Sequence, residues 1–174
     1  GTSPYFPIPF SEGLFTGVAQ GDAPLWVPGI YDERGRVLRP LVWFRGTRQQ
    51  KTAGGWEVII EYDGLDVVAE AGEVVQEPLR DAEFGCRTRF LIAPGSVTRE
   101  DTFTCPPGRS LRIELIAAVY AESTPVRLQG YTQIQRRATT LRSPTGPLAQ
   151  EIVGSLACAE RTEFTVSWQV QYNE

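Results

Sequence analysis

Between Phe164 and Tyr172 apolar and polar side chains alternate without a break. Phe164, Val166, Trp168, Val170 and Tyr172 hold the even positions; Thr165, Ser167, Gln169 and Gln171 hold the odd ones. A period of two is the mark of a β-strand with one buried face, because successive side chains of a strand point to opposite sides. The pattern predicts a strand with Phe164, Val166, Trp168 and Val170 facing a core. Val126 to Gln129 alternates in the same way and continues toward Ile134, and Trp56 to Tyr62 does so more loosely. Leu111 to Leu115 alternates, then Ile116-Ala117-Ala118-Val119-Tyr120 is apolar on both sides. That change predicts a strand entering a position covered on both faces.

Turn signals separate these runs at short intervals: Asp32-Glu33-Arg34-Gly35, Ala53-Gly54-Gly55, Asp63-Gly64, Ala71-Gly72, Pro94-Gly95-Ser96, Pro106-Pro107-Gly108 and Ser143 to Pro147. Glycine and proline supply the backbone angles that tight turns need. The spacing predicts an all-β chain, a single jelly-roll-like β-barrel or sandwich of about eight to ten antiparallel strands. No long helical pattern competes. Ala149 to Ala159 fits one short helix, but Gly154 and the β-branched Ile152-Val153 make a strand an equal reading. No internal repeat or low-complexity tract is present, and the length suits one domain, taken as residues 11–174.

Residues 1–10, GTSPYFPIPF, stand apart as an extended arm in which prolines alternate with large apolar side chains. Proline fixes an extended backbone and withholds donors from a sheet ladder. Tyr5, Phe6, Ile8 and Phe10 need burial, either over the chain's own barrel end or on a neighbouring subunit. They are therefore the candidate subunit contacts.

Composition narrows the chemistry. The chain has no histidine, no methionine, three cysteines, and one lysine, Lys51, beside sixteen arginines. Without histidine, Ser-His-Asp and Cys-His sites and most catalytic zinc centres cannot be built. Neither a phosphate loop nor a G-x-G-x-x-G nor a G-x-S-x-G is present, so no cofactor or metal is expected and no enzyme activity is assigned. Carboxylates are the surviving catalytic option: Glu61, Asp63 and Asp66 around the Gly64 turn, and Asp81 with Glu83. A glycoside hydrolase needs only two such groups, and calcium binding also suits the first cluster. Acids at turns are equally ordinary surface features. Trp26, Trp43, Trp56 and Trp168 would line a sugar-binding face if they shared one, although strand-spaced aromatics usually build core. A net charge of −4 argues against nucleic-acid binding, and the basic cluster Arg136, Arg137 and Arg142 suits a solvated strand end. No apolar run approaches the roughly 20 residues that cross a bilayer. The terminus does not read as a secretory signal, and arginine in place of lysine fits either a GC-rich genome or a thermophilic source.

The cysteines lack metal spacing. If Gly95 and Ser96 form the tip of a hairpin, Cys86 stands opposite Cys105, a candidate disulfide, and Cys158 is left as a small buried hydrophobe.

Over its whole length the chain resembles the smaller of the two major coat proteins of tailless, icosahedral, membrane-containing bacteriophages of Thermus. The stretches that carry the resemblance are GTSPYFPIPF, GLFTGVAQGDAPLWVPGIYDERGRVLRP, SLRIELIAAVYA and FTVSWQVQY. It implies a single jelly-roll barrel upright in a capsid, a structural protein of the virion assembled in the host cytoplasm. The partners implied are further copies of itself, as a dimer or higher oligomer, and a larger coat protein, over an internal lipid membrane. The family has no catalytic residues to carry over. A carbohydrate- or receptor-binding β-sandwich is the alternative.

Overall fold

The computed structural model of the chain describes residues 26–119, 121–139, 142–143, 146–158 and 162–171. The arm with Tyr5, Phe6, Ile8 and Phe10 lies outside the described residues, as does Tyr172. The strands in chain order are β1 (Gly29–Asp32), β2 (Arg36–Arg39), β3 (Phe44–Thr52), β4 (Gly55–Tyr62) and β5 (Leu65–Glu70). Then come β6 (Glu73–Asp81), β7 (Gly85–Ala93), β8 (Ser96–Thr104), β9 (Leu111–Val119) and β10 (Val126–Gln129). The last are β11 (Gln133–Ala138), β12 (Arg142–Ser143), β13 (Gly146–Pro147), β14 (Gln150–Cys158) and β15 (Glu163–Gln171).

Two antiparallel sheets hold almost all of them. The larger sheet has the order β11-β14-β9-β1-β2-β5-β6 and the smaller β10-β15-β8-β7-β4-β3, with β12-β13 a minor ribbon. The all-β expectation holds, with two corrections. The described residues form fifteen strand segments rather than eight to ten. The excess is in pieces such as β1, β2, β10, β12 and β13, of four residues or fewer, too short to show a period. The sheets are also open: β3, β6, β10 and β11 end them without pairing to one another, so the domain is a sandwich and not a closed barrel.

The register follows the hydrophobic pattern. Along β15, Phe164, Val166, Trp168 and Val170 are buried while their odd-numbered neighbours are partly or fully exposed. Strand β9 alternates through Leu111, Ile113 and Leu115, then buries Ala117, Ala118 and Val119 in succession; β14 pairs along its whole length and β1 only from Leu111 to Glu114. The helix-or-strand ambiguity at Ala149–Ala159 resolves to β14. The run from Val126 toward Ile134 does not continue as one strand. Gly130, at φ +83°, breaks it, leaving β10 in the smaller sheet and β11 in the larger. A Cβ there would lie 2.3 Å from the Thr165 carbonyl oxygen, so only glycine fits.

Both sheets contribute to two adjoining apolar clusters. One packs Val58, Ile60, Phe90, Trp168 and Val170 of the smaller sheet against Leu115, Ala117, Val119 and Ile152 of the larger. The other joins Ile30, Leu38, Leu65, Ile113 and Leu156 to Cys86, Phe103, Phe164 and Val166. Trp26 and Trp168 meet edge to face, 5.0 Å between ring centroids, in the first of these. Both rings are almost wholly buried. Trp168→Ala is therefore expected to cost about 3–5 kcal/mol of stability, and Gln169→Ala, on the opposite face of the strand, under about 0.5 kcal/mol. Denaturant unfolding of the two variants checks this; equal costs would refute the facing of β15.

Candidate functional site

Strand β8 turns Val97, Arg99, Asp101 and Phe103 inward, so two charges stand between two apolar residues inside the sandwich. Arg99 is 4% and Asp101 1% exposed. Arg99 donates from Nε at 2.8 Å to Oδ2 of Asp101 and from Nη2 at 2.9 Å to Oδ1. Thr88 on β7 donates its hydroxyl to the same Oδ1 at 2.5 Å. A buried charge is tolerated only when it is paired and its remaining lone pairs are bonded, and these contacts meet that condition. Arg99 also lies over the Phe90 ring. Burial opposes the charge on Arg99, yet Asp101 beside it holds the guanidinium above its ordinary pKa.

The Trp26 carbonyl extends this network across the sandwich. It accepts from Trp168 Nε1 at 3.0 Å and from Arg99 Nη1 at 3.5 Å, both in the smaller sheet. The Trp26 amide donates to the Ile116 carbonyl on β9 of the larger sheet at 2.8 Å. Trp26 has φ +66°, rare for a bulky side chain, and such a conformation persists only where its surroundings over-determine it. Tyr62 and Tyr131 pack against both apolar clusters, and burial raises both phenol pKa values. Their chemistry is structural: neither ionises near neutral pH.

The carboxylates singled out in the sequence do not form an open catalytic pair. Glu61 is half exposed, 3.8 Å from Arg45, and Asp63 is exposed and bound to Arg80 at 2.9 Å. Asp66 is wholly buried. Its Oδ2 accepts from the Leu41 and Val42 amides at 3.0 and 2.8 Å, fastening the segment that leads from β2 to β3. Asp81 accepts from Arg36 at 2.7 Å and from the Glu83 amide at 2.9 Å. Arg36 also donates from Nε to Asp32 at 2.9 Å, and Arg109 reaches Asp32, Glu33 and Glu83. Burial works against the Asp32 charge, but the Arg36 amide and guanidinium and the Arg34 amide hold its carboxyl below the ordinary range. This cluster ties the β1–β2 turn to the end of β6 and to the loop after β8. Among the described residues no three acidic or cysteine side chains gather closely enough to hold a metal ion.

The cysteine pairing is corrected by the hairpin register. Ala93 pairs with Ser96, so Pro94 and Gly95 form the tip, two register positions away from the Cys86–Cys105 alignment. Cys86 therefore faces Phe103, and Cys105 lies beyond the end of β8. Cys86 and Cys105 are buried free thiols. Burial raises both pKa values, that of Cys105 to about 12, which keeps them in the unreactive thiol form.

The four tryptophans do not share a face. Trp26 and Trp168 are core; Trp43 and Trp56 are 37% and 48% exposed. The other exposed large apolar residues are Val42, Phe44, Val74, Leu79 and Ile134, on or beside the end strands β3, β6 and β11. Arg136 and Arg137, on β11, turn back onto Gln150 and Glu151 of β14. Among the described residues no helix is long and apolar enough to cross a membrane. No family model matches the chain, and neither do curated proteins or solved structures.

Asp66 carries a pH dependence of defined sign. Burial raises its carboxyl above the ordinary 3.8, outweighing the amides of Val42, Leu41 and Trp43. The folded chain then binds that proton more tightly than the unfolded chain, so the contribution of Asp66 is most favourable at low pH and declines as pH rises from 3.8 through the folded value. Asp66→Asn removes this slope. Between about pH 3 and pH 6 the thermal midpoint of the native protein is expected to fall relative to that of the variant; a constant or rising difference would contradict the assignment.

Proposed function

We propose that this chain is a structural coat protein of a tailless icosahedral virion, assembled in the host cytoplasm. It packs with further copies of itself, as a dimer or higher oligomer, and with a larger coat protein over an internal membrane. One observation carries the reading beyond the resemblance: among the described residues the exposed large apolar side chains lie on or beside the end strands β3, β6 and β11, with Trp56 on β4 next to β3, not around a cleft. A lateral arrangement of this kind serves contacts between neighbouring subunits, whose centres favour aromatic and arginine side chains. The interior supports the same reading, because among the described residues the buried Arg99 and Asp101 are bonded to each other and Asp32 and Asp81 to Arg36.

The alternative, a carbohydrate- or receptor-binding module, is favoured by the exposure of Trp43 and Trp56. It loses the other two tryptophans to the core, and Arg80 lies over the Trp43 ring at 6.0 Å, giving that residue an intramolecular partner. A glycan array separates the two readings.

The contact role of Tyr5, Phe6, Ile8 and Phe10 rests on the sequence: aromatic and apolar side chains on a proline-stiffened backbone lose less entropy on docking than a free coil does. Light scattering of the full chain, alone and mixed with the larger coat protein, is expected to show a dimer or larger species and a mixed complex. Deleting residues 1–10 should weaken assembly while thermal unfolding of the sandwich stays cooperative. A chain that stays monomeric alone and with the larger protein contradicts the coat reading; assembly unchanged by the deletion contradicts the arm contact.

A further inference from the structure

The four strands that end the two sheets are not equivalent. Strand β10 is four residues long. On β11, Arg136 and Arg137 are tied back to Gln150, to the Val126 carbonyl and to Glu151. The pairing of β6 with β5 jumps from Leu79 to Val74 across a single β5 residue, Val68, so residues 75–78 bulge from the ladder, and Pro78 carries no backbone donor. Strand β3 has no such protection from Gly46 to Thr52. It is nine residues long, exposed at every one, and regularly paired with β4 from Gly46 to Thr52 once past a bulge at its start. Thr47 and Gln49 pair with Ile60 and Val58, which face the core from β4, and are nevertheless exposed. Strand β3 thus overhangs the larger sheet. Among the described residues β4 is its only strand neighbour, so its outer side presents unpaired N–H and C=O groups.

The charges on this edge have one sign. Arg45, Arg48 and Lys51 lie on β3 with no acidic residue among them. Arg45 is 3.8 Å from Glu61, and Arg48 and Lys51 have no ion-pair partner within 4 Å among the described residues. Two copies of β3 paired antiparallel about Arg48 would place Arg45 of each opposite Lys51 of the other, and like charges directly opposite are destabilising. The acidic edge of this same chain, β6 with Glu73 and Glu77, is broken by its bulge and is poorly shaped for a straight ladder. The proline-rich residues 1–10 contain no acid.

We infer that the open edge of β3 is a β-augmentation site for an extended acidic segment of a different polypeptide, with carboxylates three residues apart to meet Arg48 and Lys51. Main-chain hydrogen bonds to Gly46–Thr52 supply the attachment, and the two cations, on opposite faces of the strand, select the partner. The inference does not rest on the coat reading; a receptor-binding module would use the same edge.

The probe is a nine-residue Thr/Val peptide carrying two glutamates three apart, titrated into the full chain by fluorescence anisotropy, with the same peptide bearing lysines as control. The native protein is expected to bind the glutamate peptide at least about tenfold more tightly than the lysine peptide, with affinity falling as salt is raised. Hydrogen exchange should slow specifically at residues 46–52 when the glutamate peptide is bound. The double variant Arg48→Glu/Lys51→Glu, changed only at exposed positions and checked for an unaltered thermal midpoint, should reverse the preference. Should that variant lose its fold, Arg48→Gln/Lys51→Gln is expected to abolish the discrimination instead. Absence of binding at millimolar peptide, binding indifferent to the charge changes, or protection outside residues 46–52 would overturn the site. Self-association of the native protein that disappears in the double variant would overturn the partner and assign the edge to a second copy.

Discussion

The buried pairing of Arg99 with Asp101 is the constraint on which the sandwich depends. An arginine and an aspartate placed between Val97 and Phe103 would be very costly to bury if either stood alone. Together, with Thr88 completing the carboxylate and the Trp26 carbonyl accepting from the guanidinium, they are satisfied only when β7, β8 and the Trp26 segment are in register. Apolar packing sets how strongly the sheets adhere but is tolerant of small slips. A charged pair with directional partners is not, so it selects one packing among the many that the apolar clusters alone would accept. Trp26 carries the constraint across to the larger sheet through the hydrogen bond its amide donates to the Ile116 carbonyl, at the expense of a strained backbone.

An interior closed in this way leaves function to the periphery. Among the described residues Arg99 and Asp101 are committed to each other, Cys86 and Cys105 are buried and protonated, Asp66 is held by backbone amides, and Asp32, Asp63 and Asp81 are bonded to arginines. The flanks are differently built: end strands with exposed apolar residues, and one end strand, β3, that past a bulge at its start has neither proline nor acid. The division suits a component whose shape must be rigid and whose business is contact with other chains.

Much of the architecture was legible because strands such as β15 have one apolar face and one polar face. The facing of β15 and the covered stretch of β9 are direct readings of period two and of its loss. Short strands escaped, since four residues such as Gly29–Asp32 cannot display a period. The central polar site escaped for a different reason. In Val97-Thr98-Arg99-Glu100-Asp101-Thr102-Phe103 both faces are polar at the middle, so hydrophobicity carries no phase there. The usable signal was parity: Arg99 and Asp101 share the face of Val97 and Phe103, which the ends of the strand place in the core. The hairpin tip was misplaced because Pro94-Gly95 and Gly95-Ser96 are both acceptable two-residue turns, and the choice between them shifts Cys86 from Cys105 to Phe103. Strand β3 escaped because FRGTRQQKT is polar on both faces, the composition of an overhanging edge with no core to face.

The central claim, that the buried pair fixes how the sheets meet, is tested most directly by a double-mutant cycle on Arg99→Met and Asp101→Leu, read by denaturant unfolding. Each single change is expected to cost about 3–5 kcal/mol, because each leaves one charge buried and uncompensated. The double change, which removes both charges and keeps apolar volume, should cost far less than their sum, a coupling of at least about 2 kcal/mol. Single costs below about 1 kcal/mol, or costs that simply add, would show that the two charges are bystanders in the core and would contradict the account.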